Sequence, residues 1–255
     1  MVKIRIIPVL LLKNGRMVKP IRFGGGGERD VGWPITTARI YDSQDPDEII
    51  FLDITATEGS RRFLFDTLEE VAKNSFLPLT AGGGVRTIGD IYELLQVGAD
   101  KISINTAAVE SPHLIEEGAK KFGSQCIVVS IDVREAKPGF YKVYTHGGKT
   151  ETGLEAVEWA RRVANLGAGE ILLTSVDREG TMRGYDTKLI RMVADAVPIP
   201  VIAHGGAGTR QHFVDAIVEG HASAAAAASV FHFSDSNLTQ VKSYLLNTGI
   251  SVRPI

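Results

Sequence analysis

The chain has 255 residues, a formal net charge of −2 and a 44% share of hydrophobic residues. This composition suits one large domain or two small ones, excludes wholesale disorder and argues against a broad nucleic-acid-binding face. The single cysteine excludes an internal disulfide, and no stretch approaches the roughly 20 apolar residues of a membrane span, so we expect a cytoplasmic protein.

Eight apolar runs of strand length alternate with amphipathic helical patterns along the chain. The runs are continuously hydrophobic, which is typical of parallel strands covered on both faces. The alternation predicts an α/β fold of the (β/α)8 TIM-barrel type, with a doubly wound open sheet as the alternative. The predicted strands are Ile4–Leu12, Ile49–Ile54, Leu77–Ala81, Lys101–Asn105, Cys126–Asp132, Glu170–Val176, Ile199–Ala203 and Ser223–Ser229.

The connections after the first and fifth strands carry different signals. The chain after Leu12 is expected to form a loop. The segment FYKVYTHGGKTETG, by contrast, alternates in polarity and turns at Gly147-Gly148, which predicts a hairpin excursion after the fifth strand.

An internal repeat favours the barrel over the open sheet. The segment AGGGVRT at Ala81 matches the segment AHGGAGT at Ala203, an offset of 122 residues, and the same offset relates Glu48 to Glu170. The repeat also makes SAAAAAS a strand, against its helix propensity. Two halves of this size predict four plus four strands in a single domain over 1–255, with half-barrels at about 1–122 and 123–255.

Two glycine-rich loops follow the third and seventh predicted strands, where a barrel places its ligands. Without Cβ atoms, backbone N–H groups approach an anion closely, and the following helix adds positive potential. Each loop has a hydroxyl on a neighbouring strand end, so we predict a phosphate site in each half and a ligand with an anionic group at each end. The segments are Gly82–Gly84 beside Asn105-Thr106, and Gly205–Gly208 beside Ala228-Ser229, with Asp177–Thr181 as a further small turn.

Four charged residues stand at strand beginnings, at the opposite end of the predicted barrel. Charged side chains inside a barrel must be paired, because unpaired burial is costly. Two cations and two anions balance, which is consistent with a neutral plug that seals the barrel. The residues are Arg5, Glu48, Lys101 and Glu170.

The motifs FLDITA, AGGGVRT, GADKISINTAAVE, GAGEILLTSVDREGT and HGGAG resemble the cyclase subunit of imidazole glycerol phosphate synthase (HisF type) over nearly the whole chain. The resemblance implies a barrel that takes ammonia from a partner glutaminase and holds its substrate by two phosphates. We expect no cofactor and no metal. The implied phosphate-binding residues are Gly83, Gly84, Asn105, Thr106, Gly180, Gly205, Gly206, Ala228 and Ser229.

The catalytic pair that the resemblance implies is incomplete. The family uses two aspartates, at the ends of strands one and five; Asp132 matches the second, but the first falls on Leu11. One positioned general acid or base contributes about 10²–10⁴ in rate, and leucine transfers no proton. Glu179 replaces a usually shorter aspartate, and His204 replaces a small residue, either to supply a proton or simply to order the loop. Whether the chain is still a cyclase is left open.

The opposite end of the barrel keeps the family pattern. In the family the charged ring is the ammonia entrance beside the glutaminase, and Asp100 matches a residue presented to that partner. Lys19 lies in the family's mobile first loop, as a ligand contact or as a solvated lysine. Drift of an inactive enzyme would erode both ends, so we expect ammonia handling to be retained while the chemistry has changed.

One branch of the family fits this pattern. The segments PVLLLKNGRMVK and WPITTARIYDSQDPDEIIFLDI resemble WbuZ-like barrels associated with amidation of N-acetyl sugars in surface polysaccharides. Such barrels work with a glutaminase and a separate sugar amidotransferase. We therefore expect an ammonia-conducting subunit for sugar amidation. The alternatives are a histidine-pathway cyclase that tolerates Leu11 and, less favoured, a sugar-phosphate isomerase of the same fold.

Overall fold

The computed structural model describes residues 3–55, 62–74 and 77–253 of the chain. Its strands are β1 (Arg5–Lys13), β2 (Arg16–Pro20), β3 (Glu28–Gly32), β4 (Ile49–Asp53), β5 (Leu79–Gly82), β6 (Lys101–Ile104), β7 (Ile127–Lys137), β8 (Phe140–Thr145), β9 (Thr150–Glu155), β10 (Glu170–Ser175), β11 (Val201–His204) and β12 (Ala224–Ala227). Its helices are α1 (Pro34–Asp42), α2 (Arg62–Asn74), α3 (Ile88–Gln96), α4 (Thr106–Glu110), α5 (His113–Phe122), α6 (Ala156–Asn165), α7 (Thr187–Ala194), α8 (Arg210–Val218), α9 (Ser229–Phe233) and α10 (Leu238–Asn247).

Eight parallel strands close into a barrel in the order β1, β4, β5, β6, β7, β10, β11, β12. Closure comes from the pairing of β12 with β1, where Arg5 lies opposite Ala224. The predicted (β/α)8 fold is therefore confirmed, and the alanine-rich eighth run is a strand. None of the helices in the described ranges is long and apolar enough to cross a membrane.

The elements of the second half recur at the spacing of the sequence repeat. Helix α3 follows β5 and begins after Thr87 as N-cap, and helix α8 follows β11 and begins after Thr209. The two threonines are 122 residues apart. The same strand-to-helix turn is thus used in both halves, which places the two glycine loops at related positions of the mouth.

The third and seventh strands begin two residues later than the sequence predicts. They start at Leu79 and Val201, each directly after a proline at 78 or 200. Proline has no backbone N–H to donate to a neighbouring strand, so the ladder starts only beyond it. Hydrophobicity alone does not mark this boundary.

The expectation of a loop after Leu12 is wrong. The backbone reverses at Asn14 and Gly15, whose φ angles are 47° and 80°, and β2 then pairs antiparallel with β1 and β3. Two successive positive φ angles are typical of the tight hairpin turn that an Asn-Gly pair favours. The predicted excursion after the fifth strand is confirmed, since β8 and β9 pair antiparallel around the turn at Gly147 and Gly148.

The barrel interior and the helix-facing shell are separate apolar clusters. Alternation along β1 directs Ile7, Val9 and Leu11 into the barrel, where they pack with Ile50 and Leu172. The intervening residues of β1 face the helices. The interior is a filled core between two ends, one charged and the other open at the carboxyl ends of the strands.

Candidate functional site

A cavity of about 630 Å³ opens at the carboxyl ends of the barrel strands. Barrel enzymes place their ligands at this end, because the strand ends and the following loops converge there. The cavity brings together Asp132, Leu11 and the phosphate-binding residues predicted for the first half, which are Gly83, Gly84, Asn105 and Thr106.

Asp132 is buried at the base of this cavity and is held by polar neighbours. Its carboxylate accepts hydrogen bonds from Asn105 Nδ2 at 3.1 Å and from Ser130 Oγ at 3.3 Å. Burial raises the pKa of Asp132 to about 7, although hydrogen bonds from Ser130 and Thr174 work against the rise. A carboxyl group that titrates near neutral pH is suited to act as a general base or acid.

The raised pKa makes stability depend on pH. An unfolded aspartate has a pKa of about 4, so between pH 4 and 7 the folded chain holds a proton that the unfolded chain has lost. The contribution of Asp132 to stability therefore falls as the pH rises through this interval. Relative to an Asp132→Asn variant, the wild type should lose roughly 3 kcal/mol of unfolding free energy between pH 5 and pH 8. Urea unfolding of both proteins at the two pH values measures this, and a constant difference would contradict it.

Leu11 faces the cavity from β1 with 5% of its surface exposed and packs in the same apolar cluster as Val18 and Leu52. Three other carboxylates line the cavity, and each has another partner. Glu110 Oε1 lies 3.5 Å from His146 Nε2. Asp53 accepts hydrogen bonds from the backbone and hydroxyl of Thr55, and Glu28 pairs with Lys13 at 3.0 Å. The position of the missing aspartate is thus filled by an apolar side chain.

The first glycine loop is shaped by close backbone contact. Gly83 has a φ of +109°, and a Cβ on it would overlap the carbonyl oxygen of Asp53. The neighbouring Thr106 hydroxyl accepts a hydrogen bond from the backbone N–H of His146, at 3.1 Å. This hydrogen bond ties the turn between β8 and β9 to Thr106, beside the first glycine loop.

Replacing Gly83 with alanine should lower the free energy of unfolding by about 2–5 kcal/mol, because a left-handed φ and a backbone overlap act together. Gly24 offers the matched control: its φ is +98°, but nothing lies within 4 Å of an added Cβ. Gly24→Ala should cost only about 1 kcal/mol. Equal losses in denaturant unfolding would show that close approach at Gly83 is unimportant.

The second glycine loop has a different environment. The remaining predicted phosphate-binding residues surround a cavity of only about 10 Å³. Lys19 and Glu179 line it, and Lys19 Nζ forms an ion pair with Glu179 Oε1. The predicted residues at this cavity are Gly180, Gly205, Gly206, Ala228 and Ser229.

Lys19 is not a solvated loop lysine. It lies on β2 with 3% of its surface exposed, and its ammonium donates to the Pro20 carbonyl at 3.2 Å as well as pairing with Glu179. Burial lowers the pKa of Lys19 to about 7, and the adjacent carboxylate favours the charged form. The ligand contact of Lys19 stays a prediction.

His204 is buried between the two cavities. Its Nδ1 lies 3.1 Å from the hydroxyl of Thr174, on the adjacent strand. Burial, with a smaller contribution from the charge of Lys19, lowers the pKa of His204 to about 3. The imidazole is therefore neutral at physiological pH, which fits a group that orders the loop better than one that donates a proton.

The four charged residues predicted at the strand beginnings form a closed network. Arg5 lies 2.7 Å from Glu48 and 3.0 Å from Glu170, and Lys101 lies 2.7 Å and 3.3 Å from the same two carboxylates. Each cation thus bridges both anions. Burial alone would lower the pKa of Arg5, but the Glu170 and Glu48 carboxylates together raise it above its ordinary value.

Two acidic groups at this end of the barrel differ in their surroundings. The Oε2 atom of Glu170 is buried and has no hydrogen-bond partner among the described residues. Asp100, one residue before Lys101, is exposed and accepts a hydrogen bond from the backbone of Leu79 at 2.8 Å. The network therefore has an unused acceptor, and an acidic side chain lies at its edge.

Sequence reasoning missed the Lys13–Glu28 pair and Thr174 as cavity residues. Alternation is the signal that could have found Lys13, since it is two residues beyond Leu11 on the same strand. Glu28 carries no such signal, because it reaches the cavity only through β3.

In a comparison with protein families, the model described as Histidine biosynthesis protein matches residues 5–237.

Proposed function

Because this chain belongs to the histidine biosynthesis protein family, we propose that it is a HisF-like barrel subunit that receives ammonia from a partner glutaminase and binds a phosphorylated ligand. We propose further that it serves the amidation of N-acetyl sugars for surface polysaccharide, together with a separate sugar amidotransferase. The resemblance of residues 8–19 and 33–54 to that branch supports the second step.

The observation that carries the proposal is the contrast between the two ends of the barrel. At the bottom, Arg5, Glu48, Lys101 and Glu170 form a complete network. At the mouth, Leu11 stands where the resemblance places an acid. A chain that conducts ammonia without completing cyclisation needs the charged network, but it does not need an acid at position 11.

The charged network contains an oxygen atom that can accept a hydrogen bond from ammonia. The free carboxylate oxygen of Glu170 can accept an N–H, and the small side chains of β12 line the interior above it. Asp100 offers an exposed acidic contact to a partner at this end. These features support a docked glutaminase beneath the barrel.

A cyclase subunit of imidazole glycerol phosphate synthase, a lyase of histidine biosynthesis, is the second candidate. It is favoured by Asp132, whose pKa of about 7 and position in the 630 Å³ cavity suit a general base. In this case Asp132 would act without a second carboxylate at Leu11.

Cyclase turnover with ammonium salt as the nitrogen donor separates the two candidates. An intact cyclase subunit of this family, assayed in parallel, is the reference. The proposal expects the present chain to be slower by at least about 10², because one general acid–base group is missing. Turnover within about tenfold of the reference would instead favour the cyclase.

A further inference from the structure

We propose that Asp132, Thr174 and His204 form a proton relay, through which an anion bound at the second glycine loop makes Asp132 keep a proton. The inference rests on the phosphorylated ligand of the proposed function, and it links the binding of that ligand to the candidate catalytic carboxyl. His204 is a positioning residue in this relay, because it acts on Asp132 only through Thr174.

The register of three neighbouring strands places the three side chains in one row. Asp132 on β7 lies opposite Thr174 on β10, and Thr174 lies opposite His204 on β11. Residues that lie opposite each other on paired strands direct their side chains to the same face of the sheet. All three line the cavity of about 630 Å³, so the row lies at the mouth of the barrel.

The direction of the hydrogen bonds in this row is fixed while Asp132 is ionised. The Thr174 hydroxyl bonds to the carboxylate of Asp132, and its oxygen lies 3.1 Å from His204 Nδ1. A carboxylate only accepts and a hydroxyl has a single proton, so Thr174 donates to Asp132 and accepts from Nδ1 of His204. A neutral imidazole has one N–H, which leaves Nε2 of His204 without a proton.

The second ring nitrogen of His204 is the part of the row that can meet a ligand. His204 is 6% exposed, and within residues 3–55, 62–74 and 77–253 its Nε2 has no hydrogen-bond partner. The side chain also lines the smaller cavity, together with Gly205, Gly206 and Ser229. A fully ionised anion bound there only accepts hydrogen bonds, so its contact with Nε2 requires the proton on that nitrogen.

Moving the proton to Nε2 reverses each hydrogen bond of the row. A proton from solvent binds Nε2 as the Nδ1 proton passes to the oxygen of Thr174 and the Thr174 hydroxyl proton passes to the carboxylate of Asp132. One proton is taken up in total, Thr174 remains a hydroxyl, and the imidazole stays neutral throughout. The anion therefore stabilises the state in which Asp132 is protonated and can serve as a general acid.

The charged groups around His204 leave Asp132 as its partner in the relay. Lys19 on β2 and Glu179 after β10 pair with each other, and the facing strand β12 contributes only alanine. Burial lowers the pKa of His204 to about 3 and that of His232 on α9 to about 4, so neither imidazole gains a charge near neutral pH. The pKa values of Asp132 and Lys19 both lie at about 7, so a test must separate these two groups.

Nitrogen-15 NMR of the ligand-free chain with labelled histidine tests the row itself. At pH 9 we expect the His204 proton on Nδ1, and we expect it to move to Nε2 as the pH falls through about 7. Thr174→Ser keeps the hydroxyl and should behave like the wild type. Thr174→Val has no hydroxyl, so its His204 tautomer should not follow Asp132, while Lys19 is unchanged in both variants. A proton on Nε2 at pH 9 in the wild type, or an equal change of tautomer in Thr174→Val, overturns the relay.

Sulfate tests the coupling to an anion, because it has the tetrahedral shape of phosphate and keeps its charge throughout this pH range. Carbon-13 NMR of labelled aspartate follows the ionisation of Asp132. Saturating sulfate should raise the pKa of Asp132 by about one pH unit more in the wild type and Thr174→Ser than in Thr174→Val, since only a hydroxyl can withdraw its hydrogen bond from the carboxylate. By linkage, protonation of Asp132 then tightens sulfate binding about tenfold.

A crystal structure with sulfate identifies the occupied loop and separates the inference from the proposed function. Sulfate at the first glycine loop alone, or an equal effect on the pKa of Asp132 in all three chains, overturns the inference and leaves the proposed function standing. Sulfate at neither loop overturns the phosphorylated ligand of the proposed function, and the inference with it.

Discussion

Replacing Glu48 with glutamine is expected to lower the free energy of unfolding by about 3–5 kcal/mol. The Glu48 side chain is 1% exposed and lies 2.7 Å from both Arg5 and Lys101. Glutamine retains an acceptor for the Thr80 hydroxyl, which donates to Glu48 Oε1 at 2.5 Å, but it loses the charge. Two cations then face one carboxylate, and a buried charge without compensation is costly. Chemical denaturation at neutral pH measures the loss.

A second substitution tests whether charge balance is the cause. Adding Lys101→Met to Glu48→Gln leaves Arg5 and Glu170, which are 3.0 Å apart, as a neutral pair. The double variant should be more stable than the sum of the two single losses predicts, since the residues share one network. Additive losses would show that each side chain acts through packing alone.

The same variants separate a sealing plug from an ammonia entrance. A plug requires only stability, so the double variant would transfer nitrogen from glutamine as efficiently as the wild type. An entrance requires the polar path itself, so product formed per glutamine hydrolysed would fall while turnover with ammonium salt stayed unchanged. This measurement uses the complex with the glutaminase.

The barrel could be predicted because its determinants are local or repeated. Continuous apolar runs identify strands covered on both faces, and the match between Ala81 and Ala203 fixes the number of strands in each half. The propensity of alanine alone predicts a helix at Ala224–Ala227, whereas the repeat predicts the strand that the structure has there. The same reasoning placed the four charged residues at one end, because strand beginnings share an edge.

The environment of the second glycine loop could not be predicted in this way. Lys19 and Glu179 are far apart in the chain, and their contact exists only because β2 folds back over the mouth. The Asn14-Gly15 turn was a readable hairpin signal. Even with it, no spacing rule connects a lysine on that hairpin to a turn after β10, so whether the two side chains meet depends on tertiary packing.

Leu11→Asp is expected to raise cyclase turnover with ammonium salt by about 10²–10⁴ over the wild type. Asp132, with its pKa of about 7, is already in the cavity, and the new carboxyl would enter from β1. The apolar neighbours of Leu11, including Val18 and Leu52, would raise the pKa of that carboxyl, which keeps a proton available for donation. The same burial should lower the free energy of unfolding by about 2–5 kcal/mol.

Leu11→Asn is the matched control, because asparagine has the size and polarity of aspartate but transfers no proton. If the missing acid is the reason for low turnover, only Leu11→Asp gains activity, and its rate depends on the ionisation of two carboxyl groups rather than one. Equal gains in both variants would mean that space or polarity at Leu11 limits the reaction. No gain in a folded Leu11→Asp chain would mean that the cavity has diverged beyond one residue.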